Sequence, residues 1–155
     1  MLRETSLVFA ALVVFAGATV VYKCGSETPF EDPTQISISG CDKPECPLKQ
    51  GTTINVDIKL VPNREIKSLT NAVNAILFGV PLPFVGVDGT NACDNIYNPD
   101  GSKAGCPLKP NVEYLYKINF PVLSIYPRVA LIVHYALKEG NEEIMCFEAP
   151  SKIIK

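Results

Sequence analysis

All six cysteines of the chain, Cys24, Cys41, Cys46, Cys93, Cys106 and Cys146, lie downstream of an apolar N-terminal run. That run has the form of a secretory leader. Arg3 supplies a positive start, Glu4 partly cancels it, Leu7 to Phe15 is an apolar core, and Ala16-Gly17-Ala18 is an A-x-A cleavage pattern. Read instead as a membrane anchor, the stretch from Thr5 to Val21 is near the short limit for a span, and no basic stop-transfer flank follows it. The reading is a signal peptide over 1–18 and one domain over 19–155. An even set of cysteines behind such a leader predicts disulfides formed in an oxidising compartment. Locality favours Cys41 with Cys46, across a short Asp-Lys-Pro-Glu turn, and Cys93 with Cys106, across a polar loop, which leaves Cys24 and Cys146 near the two ends. The paired C-x-x-C knuckles of a zinc site are missing, so neither a metal nor another cofactor is expected.

The charge balance narrows the partners. A formal net charge of −2 gives no positive field for nucleic acid, and no basic block suits an anionic membrane surface. No N-x-S/T sequon occurs, so N-glycosylation is not expected.

The dominant periodicity is two. In TINVDIKL, Ile54, Val56, Ile58 and Leu60 alternate with polar residues, the mark of a half-buried strand. Ile36 and Ile38 repeat the pattern, as do Val112, Tyr114, Tyr116 and Ile118, and Val129, Leu131, Val133, Tyr135 and Leu137. A strand over Ile144 to Glu148 follows the Glu139-Gly140-Asn141 turn as the second arm of a hairpin. Two stretches depart from this. Residues 65–77 place Ile66, Leu69, Val73, Ile76 and Leu77 at helical spacing. Residues 76–87, ILFGVPLPFVGV, hold no charge and no hydrogen-bonding side chain, yet Pro81 and Pro83 should keep the segment out of regular structure. Pro47, Pro107, Pro121, Pro127 and Pro150 are read as strand ends.

Groups for catalysis are sparse. The one histidine, His134, lies inside a predicted strand and points away from its apolar face. Glu142 and Glu143 are adjacent and diverge. Asp94 and Asp100 sit in an Asn-rich loop that lacks EF-hand spacing. There is no G-x-S-x-G elbow and no phosphate loop. No catalytic residues are assigned, and no enzyme activity is expected.

The order of motifs is more informative than any one of them. Cys24-Gly25-Ser26, Cys41-x4-Cys46-Pro47-Leu48, Gly79-Val80-Pro81-Leu82-Pro83-Phe84, Cys106-Pro107-Leu108, Tyr114-x-Tyr116, Pro121-Val122, Tyr126-Pro127 and Cys146-Phe147-Glu148-x-Pro150 follow one another along the chain. This series resembles the Niemann-Pick type C2 family of secreted, lipid-binding ML domains, over the whole of 19–155.

The resemblance implies an all-β, immunoglobulin-like sandwich of two antiparallel sheets. It implies the bridges Cys24–Cys146, Cys41–Cys46 and Cys93–Cys106, and a strand rather than a helix through 66–78. It implies a monomeric carrier of a sterol or fatty-acid-like lipid held between the sheets. On the matched motifs the pocket mouth falls at Phe84, Val122 and Tyr126. The walls fall at Ile38, Leu48, Ile54, Val56, Ile76, Leu131, Val133, Tyr135 and Phe147. The twelve residues between Cys93 and Cys106 and the missing sequon favour an extracellular carrier of arthropod type over a lysosomal shuttle. Transient contact with a membrane or receptor would accompany transfer. An innate-immune co-receptor presenting microbial lipid is the alternative, disfavoured because 75–87 contains no Lys or Arg.

Overall fold

The computed structural model describes residues 19–155; the expected leader at 1–18 lies outside the described residues. The elements in order are β1 (Tyr22–Lys23), β2 (Ile36–Ile38), β3 (Cys46–Lys49), β4 (Thr53–Leu60), β5 (Thr70–Leu77), β6 (Val80–Pro83), β7 (Ile96–Tyr97), β8 (Tyr114–Pro121), β9 (Ala130–Glu139) and β10 (Glu142–Ile154). One 3-10 turn, Cys93–Asn95, is the sole helical element among the described residues. A six-stranded sheet runs β1-β10-β9-β5-β6 with β3 also on β10, and a four-stranded sheet runs β2-β4-β8-β7. The ladders are antiparallel except for the parallel pair β3/β10. The sandwich expected from the resemblance is the fold observed.

The period-two residues build the core. Val56, Ile58 and Leu60 of β4 and Tyr114, Tyr116 and Phe120 of β8 are buried, as are Leu131, Val133, Tyr135 and Leu137 of β9. Each such side chain stabilises the fold by about 1.5–3 kcal/mol through burial alone. The three bridges close as Cys24–Cys146, Cys41–Cys46 and Cys93–Cys106, with Cα–Cα distances of 5.6, 4.8 and 5.3 Å. The β9–β10 hairpin turns at Gly140, whose φ of 59° suits the first central position of a type II′ turn. Arg64 ties this hairpin to the loop before β5, donating to Glu139 Oε2 and Glu142 Oε2 at 2.5 Å each. The Arg64 hydrogen bond holds the Glu139 carboxyl below its ordinary pKa, helped by the Lys67 N–H.

Three segments correct the periodicity. Residues 70–77 form β5, not a helix. Asn71 and Val73 face inward and are buried, so a polar residue occupies a core position and hides the alternation. The Pro81/Pro83 segment is regular after all, as edge strand β6 paired only with β5. Phe84 N–H donates to Val73 O at 3.0 Å. By alternation the nitrogens of residues 82 and 80 also face β5, while those of Pro81 and Pro83 face solvent. Two prolines two apart therefore lose no ladder bond and leave no donor on the edge. Finally, β10 does not stop at Glu148 but continues through Pro150 to Ile154. Ile153 N–H donates to Val129 O at 3.0 Å on the β9 side. Residue 150 thus directs its nitrogen to the other flank, between the end of β1 pairing at Glu148 and the start of β3 pairing at Ser151.

Candidate functional site

The β5–β6 hairpin delivers Phe84 to one end of the sandwich. Phe78 and Gly79, with φ of 49° and 77°, form a type I′ turn, and the chain returns along β6 into the interior. Phe84 is 4% exposed. Its ring meets Phe120 of β8 at 4.7 Å and Tyr126 at 5.6 Å between centroids, both edge-on. This places an aromatic cluster between the two sheets.

An apolar void lies on each side of that cluster. The outer one has a volume of about 210 Å³ and is lined by Ala75, Leu77, Leu82, Pro83, Phe84, Tyr126, Pro127, Val129, Leu131 and Ile153. The inner one lies between the sheets and is lined by Ile38, Cys46, Leu48, Ile54, Val56, Phe120, Val133, Tyr135, Phe147, Ala149 and Ser151. Its volume of about 20 Å³ holds little more than one water molecule. Phe84 borders the outer void and Phe120 the inner, so their ring contact links the two linings.

The predicted site residues distribute as follows. Ile38, Leu48, Ile54, Val56, Val133, Tyr135 and Phe147 line the inner void. Phe84, Tyr126 and Leu131 line the outer one. Val122 is 1% exposed and lines neither. Ile76 is a correction: it pairs with Ile132 and Pro81 on the outer face of the sheet, because the inward positions of β5 are 71, 73, 75 and 77. Phe120 was missed, although it continues the Tyr114, Tyr116, Ile118 alternation. Ala149, Ser151 and Ile153 were missed because the strand was ended before Pro150.

Two polar features stand out in this apolar setting. The Tyr126 hydroxyl is buried without a hydrogen-bond partner. Burial pushes its pKa up; the Val85 backbone opposes the shift in part without reaching hydrogen-bond geometry. Deeper, Tyr116 Oη donates to Asn71 Oδ1 at 2.5 Å and lies 2.7 Å from Tyr135 Oη, while Asn71 Nδ2 donates to Thr90 Oγ1 at 2.9 Å. The Tyr135 ring stacks on Phe147 at 5.3 Å. Burial pushes Tyr116 up to about 12 and Tyr135 further still. Both shifts favour the neutral phenol in the folded state. Their contribution is therefore complete below the ordinary tyrosine pKa of about 10, and that of Tyr116 is lost as pH rises toward its folded value of about 12. In an alkaline titration Tyr116 and Tyr135 should ionise only as near-ultraviolet circular dichroism collapses. Ionisation of all six tyrosines near the free-tyrosine pKa of about 10, with that signal intact, would contradict this.

Groups for bond-breaking chemistry do not converge here. His134 lies on the outer face, and its hydrogen-bond partners are Glu148 and the sulfurs of Cys24 and Cys146. Asp100 Oδ1 is engaged by Ser102 N–H and Oγ–H at 2.9 and 2.6 Å.

The chain has clear relatives. The family profile described as the ML domain matches residues 18–153. "NPC intracellular cholesterol transporter 2 homolog a" of Drosophila melanogaster is 36% identical, with 99% of each chain covered. "Ecdysteroid-regulated 16 kDa protein" of Manduca sexta is 29% identical over 92% of this chain and 93% of its own. Among solved structures, a Niemann-Pick type C2 protein from the Japanese carpenter ant superposes with a TM-score of 0.70 at 32% identity, covering 87% of this chain and 99% of that one. A sandwich closed by these three bridges, with one apolar void beside Phe84 and another between its sheets, is thus accompanied by full-length likeness, and the chain belongs to the ML-domain family of Niemann-Pick type C2 proteins.

Proposed function

We propose that residues 19–155 form a secreted carrier that takes up a single sterol or fatty-acid-like lipid between its sheets and releases it unchanged, without catalysis. The observation that carries this reading is the pair of apolar voids, one bordered by Phe84 and Tyr126 and the other by Phe120, with the Phe84 ring in contact with both other rings. The inner void is far smaller than a lipid, so uptake requires Phe84 to swing aside and the sheets to part. Breaking two edge-on aromatic contacts costs about 1–3 kcal/mol. Burying about 400 Å² of ligand hydrocarbon returns on the order of 10 kcal/mol before entropy losses. The balance favours opening around a ligand. The Tyr126 ring borders the outer void, and its buried, unpartnered hydroxyl would have to turn toward that void to reach a ligand oxygen.

Exposed apolar side chains flank the mouth. Phe78 is 95% exposed at the hairpin tip, with Val80, Leu82 and Val85 beyond it and Ile125 beside Tyr126. Such a rim suits brief contact with a membrane from which lipid is drawn. No Lys or Arg lies in 75–87, which weighs against presentation of acidic microbial lipid. The Drosophila relative is named a cholesterol transporter homologue, in keeping with a lipid cargo.

Native mass spectrometry of delipidated protein incubated with sterol or fatty acid should show one lipid per chain. Tyr126→Ala should weaken binding of a fluorescent analogue by about tenfold, the loss of one ring contact. Failure to bind any lipid would refute the carrier reading, and unchanged affinity in Tyr126→Ala would refute the mouth.

A further inference from the structure

A second cluster lies on the outer face of the six-stranded sheet, away from both voids. His134 of β9 stands opposite Glu148 of β10, and its Nδ1 is 2.9 Å from Glu148 Oε1. The other ring nitrogen, Nε2, is 3.4 Å from Cys146 Sγ and 4.0 Å from Glu143 Oε2. Cys24 Sγ lies 3.7 Å from Nδ1, the nitrogen that also faces Glu148. One donor atom from each of Cys24, His134, Glu143 and Cys146 lies within 4.8 Å of the rest.

The arrangement is that of a metal site with its sulfurs joined. The Glu148 contact suits the tautomer with its proton on Nδ1, which leaves the Nε2 lone pair turned toward Cys146 and Glu143. A carboxylate behind a histidine is the usual orienting partner of a metal-bound imidazole. Bonds of about 2.3 Å to sulfur and about 2.0–2.1 Å to nitrogen or oxygen set tetrahedral edges of roughly 3.4–3.8 Å. The Cys146–His134 distance of 3.4 Å is already such an edge, and Glu143, exposed, needs only a small side-chain movement. The sulfurs alone are too close, and cleaving their bond lets them part.

We infer that the Cys24–Cys146 bridge masks a zinc-type site, opened by reduction. A thiolate of a dithiol reductant attacks one sulfur and forms a mixed disulfide. The reductant's second thiol then displaces that sulfur, so the reductant leaves as a disulfide and the protein holds two thiols. A divalent cation binds both as thiolates, releasing two protons, and takes His134 Nε2 and Glu143 as its other donors. The metal then pins the two-residue strand β1 to β10 in place of the covalent bond.

Cobalt(II) is the probe, added to the full chain without its leader after treatment with a phosphine reductant. One equivalent should give thiolate-to-cobalt charge transfer and tetrahedral visible bands, displaced by Zn²⁺. The signature should vanish in the Cys24→Ser/Cys146→Ser variant, weaken at least about tenfold in His134→Ala, and weaken about 10–100-fold in Glu148→Gln. Cys24→Ser, unreduced and with the other two bridges intact, should bind one Co²⁺ through a single thiolate. The proposal is overturned by an undiminished signature in the double-serine variant, by unchanged affinity in His134→Ala, or by no signature in folded Cys24→Ser. Loss of near-ultraviolet circular dichroism in both reduced protein and Cys24→Ser, unrescued by Zn²⁺, overturns it equally.

Discussion

Phe84→Asp is expected to abolish lipid uptake and to destabilise the fold by several kcal/mol. The wild-type ring is almost fully buried and packs edge-on against Phe120 and Tyr126. Removing it costs about 3–5 kcal/mol in burial and packing. The carboxylate that replaces it finds no cation in 75–87 and faces an apolar void, so it must either take up a proton or turn outward and open the mouth. Either response removes the apolar surface that a lipid would cross. Phe84→Leu serves as the control, keeping an apolar side chain while losing both ring contacts. It should remain folded and bind lipid more weakly, since the mouth contributes less apolar area to the ligand. Fluorescent-lipid titration beside thermal melting separates the two effects. Full affinity in a folded Phe84→Asp protein would place the mouth elsewhere.

The burial of most residues that line the inner void was legible in sequence for a simple reason. A wall between two sheets consists of the inward positions of strands, and β2, β4 and β9 announce those by strict alternation. Where a strand breaks alternation the reading fails. In β5 the inward position at 71 is an asparagine, buried because two tyrosine hydroxyls and Thr90 satisfy it. Nothing local marks a polar residue as inward when its partners are 19, 45 and 64 positions away. Ile76, outward against Ile132, completes a false helical stripe, and its place among the pocket walls came from the resemblance rather than from periodicity. The prolines misled in the other direction. Pro81, Pro83 and Pro150 were read as breaks, but each directs its nitrogen away from the strand that needs donors. Only knowledge of which flank is paired separates a tolerated proline from a terminating one. The resemblance repaired the reading of β5, because motif order places a strand there without reference to periodicity.

Removing the Cys24–Cys146 bridge should be the most damaging of the three double alanine substitutions. These cysteines are 122 positions apart, against 5 for Cys41–Cys46 and 13 for Cys93–Cys106. Restriction of the unfolded chain grows with the logarithm of that span, giving about 5, 2 and 3 kcal/mol respectively. For a domain of this length about 5 kcal/mol corresponds to a fall in Tm of roughly 15–25 °C. Native contacts act in the same direction. Strand β1 has two residues and pairs with β10 only through Tyr22↔Glu148 and Lys23↔Phe147, so apart from the buried Val21 and the Ile38 N–H bond to Thr19 Oγ1 the N-terminal segment has few ties to the sandwich. Fraying there exposes the flank of β10 beside Phe147, a wall of the inner void. Lipid affinity in Cys24→Ala/Cys146→Ala should therefore fall along with stability, whereas Cys93→Ala/Cys106→Ala, whose bridge lines neither void, should lose stability with affinity kept. Urea unfolding of the three variants, with and without bound lipid, tests both orderings. Equal losses of stability in all three would show that chain entropy does not set the contribution of these bridges.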